Sequence, residues 1–80
     1  MCWMTNNQAF GVVLREIRTD RKISQDALAF DANLNRTYIS TLELGRRSPS
    51  LDTMMSLCEA LQVPLSDMVV RMEAILAANG

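Results

Sequence analysis

Residues 24–45 read SQDALAFDANLNRTYISTLELG, and the placing of caps and aliphatic residues in this run decides the fold. Ser24 carries a side-chain oxygen able to cap a helix N-terminus. Ile23 before it and Leu28 after it fit a hydrophobic staple across that cap. Asp26 suits the positive end of the helix dipole. A short helix is therefore predicted over about Gln25–Asp31. Asn33 accepts a left-handed backbone at modest cost, which suits a tight turn. Asn35 is the next cap, and Leu34 with Ile39 repeats the staple. A second short helix follows over Arg36–Leu44, with Gly45 ending it in the left-handed region.

Outward from this pair the pattern stays helical. Phe10, Val13, Leu14 and Ile17 recur at i, i+3, i+4 and i+7, predicting a first helix over about Gln8–Arg21 behind a flexible tail at residues 1–7. Met1–Trp3 also reads as a possible extension upstream of a start at Met4. Beyond Gly45, Arg46, Arg47, Ser48 and Pro49 form a polar connection. Ser50 caps a fourth helix over Leu51–Leu61, which buries Leu51, Met54, Leu57, Cys58 and Leu61. Pro64 interrupts the chain, and a fifth helix runs from Leu65 or Ser66 to Ala78, frayed at Asn79 and Gly80. The expectation is an all-α five-helix bundle, one domain over residues 1–80.

The 80 residues are 49% hydrophobic but only 5% aromatic, so aliphatic side chains and six Met must fill the core. Net charge is −1, which argues against a polyanionic partner until its distribution is seen. Residues 1–50 carry seven basic side chains against five acidic ones, whereas residues 51–80 carry one against four. The acidic surplus of the chain thus sits in its C-terminal part. No apolar run is long enough to span a bilayer, and no signal pattern opens the chain, which predicts a cytoplasmic protein. Two Cys do not make a disulfide framework: Cys58 reads as a core residue and Cys2 as part of a mobile tail. With no His and no Cys cluster, neither a metal site nor a cofactor is expected.

The second short helix has a spare face. At about 100° per residue, Ile39 and Leu42 point to one side, while Arg36, Thr37, Ser40 and Thr41 point to the other. A solvated helix face ordinarily mixes acids with Lys. This one offers a guanidinium and three hydroxyls with no acid among them. Two short helices with such a face on the second make a helix-turn-helix candidate, its second helix suited to the major groove of double-stranded DNA.

The run Ser24-Gln25-Asp26-Ala27-Leu28-Ala29, with Asn33 to Ser40, Leu42 to Arg47 and Pro49-Ser50-Leu51, resembles the XRE (Cro/CI-type) helix-turn-helix family over about residues 8–70. The stretch Asn35 to Ser40 is further similar to controller proteins of restriction–modification systems. The chain departs from the family at Asn33, where many members have Gly, and in its acidic balance. The resemblance implies a lambda-repressor-like bundle. It also implies that Arg36, Thr37, Tyr38 and Thr41 contact bases, Arg36 by a bidentate pair with guanine. Ser24, Gln25, Asn33, Asn35, Ser40, Arg46 and Arg47 would contact phosphates, which sets register rather than sequence. Arg18 and Glu43 resemble a family ion pair between the first and third helices and are read as scaffold.

The last two helices hold more apolar surface than a small core needs, and such surplus marks an interface. Leu57, Met68, Met72, Ile75 and Leu76 are the candidates for a homodimer contact, centred on residues 66–78. A two-fold dimer would present two recognition helices about 34 Å apart to a symmetric operator. The chain therefore reads as a transcriptional regulator. The rival reading is a protein-interaction module on the same scaffold, taking a toxin or co-regulator. An enzyme is disfavoured, because no base stands ready for either thiol.

Overall fold

A computed structural model describes residues 4–79, and the expectations for Cys2, Met1–Trp3 and Gly80 lie outside it. Five helices follow one another: α1 (Asn6–Asp20), α2 (Gln25–Ala32), α3 (Arg36–Glu43), α4 (Leu51–Leu61) and α5 (Leu65–Ala78). Among the described residues there is no strand.

The first helix begins earlier than its apolar stripe. The Thr5 hydroxyl accepts from the Gln8 amide at 3.1 Å, and the Gln8 side-chain oxygen accepts from the Thr5 amide at 2.9 Å. This reciprocal capping box draws Asn6 and Asn7 into the helix. The expected tail over residues 1–7 is thus corrected: Thr5 onward is structured, because a Thr-x-x-Gln cap satisfies the first backbone donors.

Three of the four joins repeat one three-residue device. Lys22, Asn33 and Gln62 take left-handed backbone angles with φ of 57°, 57° and 56°. The next residue in each case, Ile23, Leu34 or Val63, is a half-buried aliphatic packed on the core. Its amide returns to a carbonyl five residues back: Ile23 to Arg18, Leu34 to Ala29 and Val63 to Cys58. That is the Schellman closure, which satisfies carbonyls left open at a helix end. The third residue, Ser24, Asn35 or Pro64, is already the cap of the next helix. Each join therefore reverses the chain while feeding one more apolar side chain to the interior.

The core combines Phe10, Val13, Leu14 and Ile17 of α1 with Leu28 of α2, Ile39 and Leu42 of α3, Leu57, Cys58 and Leu61 of α4, and Met68 of α5. Two of these overturn an expectation. The sequence places Leu57 and Met68 in a dimer contact, yet both have 0% exposure. Met68 turns inward so that its sulfur lies 3.9 Å from the Cys58 sulfur, closing the bundle. A second copy cannot reach either side chain in this conformation. Burial also pushes the Cys58 thiol up, keeping it protonated.

Candidate nucleic-acid interface

The third helix is seated from behind by Ile39 and Leu42, both fully buried. Its separation from α1 is set at Gly11. A Cβ built there would lie 2.5 Å from the Leu42 carbonyl oxygen and 2.6 Å from that of Glu43. Only Gly permits so close a backbone approach. At the far end Gly45, with φ 73°, ends the helix, and the Arg46 amide returns to the Thr41 carbonyl.

Glu43 fastens this helix to its neighbours. One of its carboxylate oxygens accepts from Arg18 Nε at 2.6 Å. The other accepts from Arg18 Nη2 at 3.1 Å and from Gln25 Nε2 at 3.0 Å. Arg18 Nη1 donates in turn to the Ile23 carbonyl at 2.8 Å. Both charged side chains are largely buried, and hydrogen bonding to Glu43 raises the Arg18 pKa further above its ordinary value. Losing one partner of such a pair costs about 3–5 kcal/mol, because the other charge stays buried. A single carboxylate thus joins α1, the start of α2 and the end of α3.

The outward face follows the angular reading of the sequence. Arg36 and Thr37 are exposed, Tyr38, Ser40 and Thr41 are half-buried. The Asn35 side chain caps the helix by accepting from the Thr37 amide at 2.7 Å. The Thr41 hydroxyl donates to the Thr37 carbonyl at 2.8 Å, so what it turns outward is an oxygen acceptor and a methyl group. Arg47 stacks over Tyr38, 5.3 Å from the ring centre, which holds a second guanidinium beside α3. Arg46 is exposed.

The candidate phosphate contacts on α2 have local tasks already. Ser24 caps that helix through the Ala27 amide at 3.0 Å. Gln25 gives one amide hydrogen to Glu43 and retains a second. Asn33 is exposed in its left-handed turn. Sequence reading missed one neighbour of this face: Asp26 on α2 brings a carboxylate oxygen to 3.4 Å from Arg36 Nε. Both residues stand on the first turns of their helices, and the angular reading took each helix alone.

Comparison with known proteins agrees with this geometry. The helix-turn-helix family model matches residues 14–68. The control protein C.BamHI of Bacillus amyloliquefaciens is 44% identical, over 82% of this chain and 85% of its own length. The crystal structure of the restriction–modification controller protein C.AhdI from Aeromonas hydrophila superposes with a TM-score of 0.76 at 37% identity, covering 78% of this chain and 94% of that one. The clp gene regulator ClgR of Corynebacterium glutamicum superposes with a TM-score of 0.91 at 28% identity, covering 94% of this chain and 80% of its own. By sequence and by architecture, the chain belongs to the XRE-type helix-turn-helix family, among relatives that include the control proteins of restriction–modification systems.

Proposed function

We propose that this chain regulates transcription by occupying a two-fold symmetric DNA operator as a homodimer, with α3 of each copy in the major groove. The observation that carries this is the construction of α3: two aliphatic residues lock it to the core while Arg36 and Thr37 stand exposed at its capped N-terminus. Groups at that end of a recognition helix reach base edges. Arg36 would pair with guanine and Thr37 would set its methyl against thymine, with Tyr38 and Thr41 reading adjacent positions.

Phosphates are the counterpart of the surrounding residues. Gln25 retains one amide hydrogen beside the α2 N-terminus, a natural anion position. Ser24, Asn33, Asn35 and Ser40 add polar groups along the same edge, and Arg46 and Arg47 add charge. These contacts supply affinity that depends on salt.

Two copies are needed because one module of this size makes too few contacts for tight specific binding. With Leu57 and Met68 assigned to the core, the dimer surface falls on the rim where α5 borders the core, against which Met72 and Ile75 partly pack. Met72, Ile75 and Leu76 are half-buried there in the single chain. Dimerisation ties operator occupancy to protein concentration. Among the described residues no helix is long and apolar enough to cross a membrane, and a regulator of this kind works in the cytoplasm. Its role is binding rather than catalysis.

Selection of bound duplex from a random pool tests the whole reading. The expected winners carry two inverted half-sites about one helical turn apart. Winners with a single half-site would remove the dimer. No enrichment, even at low salt, would remove DNA as the partner and favour a protein-binding scaffold.

A further inference from the structure

The ion pair between Asp26 and Arg36 invites a question that the family resemblance does not answer. Its members are 79% and 64% exposed, so it adds little to stability. An acid at the edge of a surface that meets phosphates also weakens binding by repulsion. The compensation lies in which atom of Arg36 is engaged. Asp26 Oδ1 sits 3.4 Å from Nε, the inner nitrogen of the guanidinium. Among the described residues no second carboxylate pairs with Arg36, and no hydrogen bond engages its Nη1 or Nη2. Those two nitrogens form the planar fork that pairs with a guanine edge.

We propose that Asp26 is a positioning residue for sequence readout: from α2 it holds Arg36 by the Nε edge, leaving the terminal fork free for one base. This rests on the reading of Arg36 as a base contact. A free Arg carries several rotatable bonds, and ordering them on binding costs affinity. A carboxylate on the neighbouring helix narrows the range of the side chain beforehand. Once DNA excludes water from the pair, the attraction between the two charges strengthens. A guanidinium held from one side is also less able to swing onto a phosphate, where it would carry no sequence information. Asp26 thus lowers general affinity and raises discrimination.

Helix-dipole stabilisation of α2 is the competing account of Asp26, and it is indifferent to Arg36. Three variants separate the possibilities, each measured by competition binding against operator duplexes altered one base pair at a time. Arg36→Ala establishes which base pair Arg36 reads. If it alters no base preference, the reading of Arg36 fails, and the role given to Asp26 fails with it. With that base pair identified, Asp26→Ala should lower discrimination there about fivefold, part of the tenfold or more that a bidentate pair confers. Affinity for unrelated duplex should not fall. Asp26→Asn keeps the shape at the same reach without the charge, and should lose discrimination to nearly the same extent as Asp26→Ala, because charge rather than a hydrogen bond holds the pair. A common rise in affinity for every sequence in Asp26→Ala, with discrimination intact, would show that Asp26 only repels phosphate and would overturn the proposal.

Discussion

The helices α3 and α5 are both amphipathic, and they leave different chemistry partly uncovered. The eight residues of α3 bury Ile39 and Leu42 and turn a guanidinium and hydroxyls outward. The fourteen residues of α5 bury only Met68 fully and leave Val69, Met72, Ile75 and Leu76 half-covered, with Val70 exposed. One face suits a hydrated polyanion, the other a second apolar surface. Their anchoring differs as well. Glu43 ties α3 to two other helices through a largely buried carboxylate, whereas α5 opens on Pro64 with no side-chain cap. On the proposed reading, the recognition surface is stiff within one chain, while the C-terminal surface is completed by association.

The largest effect should come from breaking the apolar side of this contrast. Ile75→Lys sets an ammonium on the α5 flank, with its stem still able to lie along the half-buried site. Light scattering should report monomers with helical content retained by circular dichroism. Operator affinity should fall about 100-fold or more, because the second half-site no longer binds as part of the same molecule. A dimer of unchanged mass would place the interface elsewhere.

A smaller effect, on stability, is expected where α3 meets α1. Gly11→Ala drives a methyl group to within 3 Å of two backbone carbonyls of α3. Backbone has no alternative rotamer, so the two helices must part. The cost should be about 2–3 kcal/mol, read from the midpoint of urea unfolding. A midpoint that does not move would mean that α3 is seated less closely than its packing implies.

The contrast between the helices was only partly legible in the sequence. Ser24, Asn35 and Ser50 announced their helices because a cap is a local property, satisfied within three residues. Asn33 and Gly45 announced their turns for the same reason. Lys22 and Gln62 did not, since neither favours a left-handed backbone; the aliphatic residue after each pays for the strain by docking in the core. Thr5 and Gln8 form a readable cap, but the apolar stripe begins only after it, so the aliphatic pattern alone starts the helix too late. What lay beyond reach was tertiary. The apolar stripes of α4 and α5 do not say how many of their members the single chain's core takes up, so Leu57 and Met68 also read as available to a partner. The face of α3 looked free of acid until α2 brought Asp26 across. The Arg18–Glu43 pair was available only through family resemblance, because 25 residues separate its members.

The smallest expected effect concerns the rim of the polar face, where the two adjacent arginines differ. Arg47 is held over the Tyr38 ring, whereas the Arg46 side chain projects from the turn that closes α3. If Arg46 meets only phosphate, Arg46→Ala should weaken operator and unrelated duplex by the same factor. The slope of log affinity against log salt should become shallower by about one unit per half-site bound, as one fewer counterion is released there. Titrations at four or five salt concentrations against both duplexes measure this directly. A loss confined to the operator would instead place Arg46 on a base edge, and the readout surface would then extend past the end of α3 into the turn at Gly45. The polar face would no longer stop where the helix stops, and its stiffness would depend on the turn as much as on Glu43.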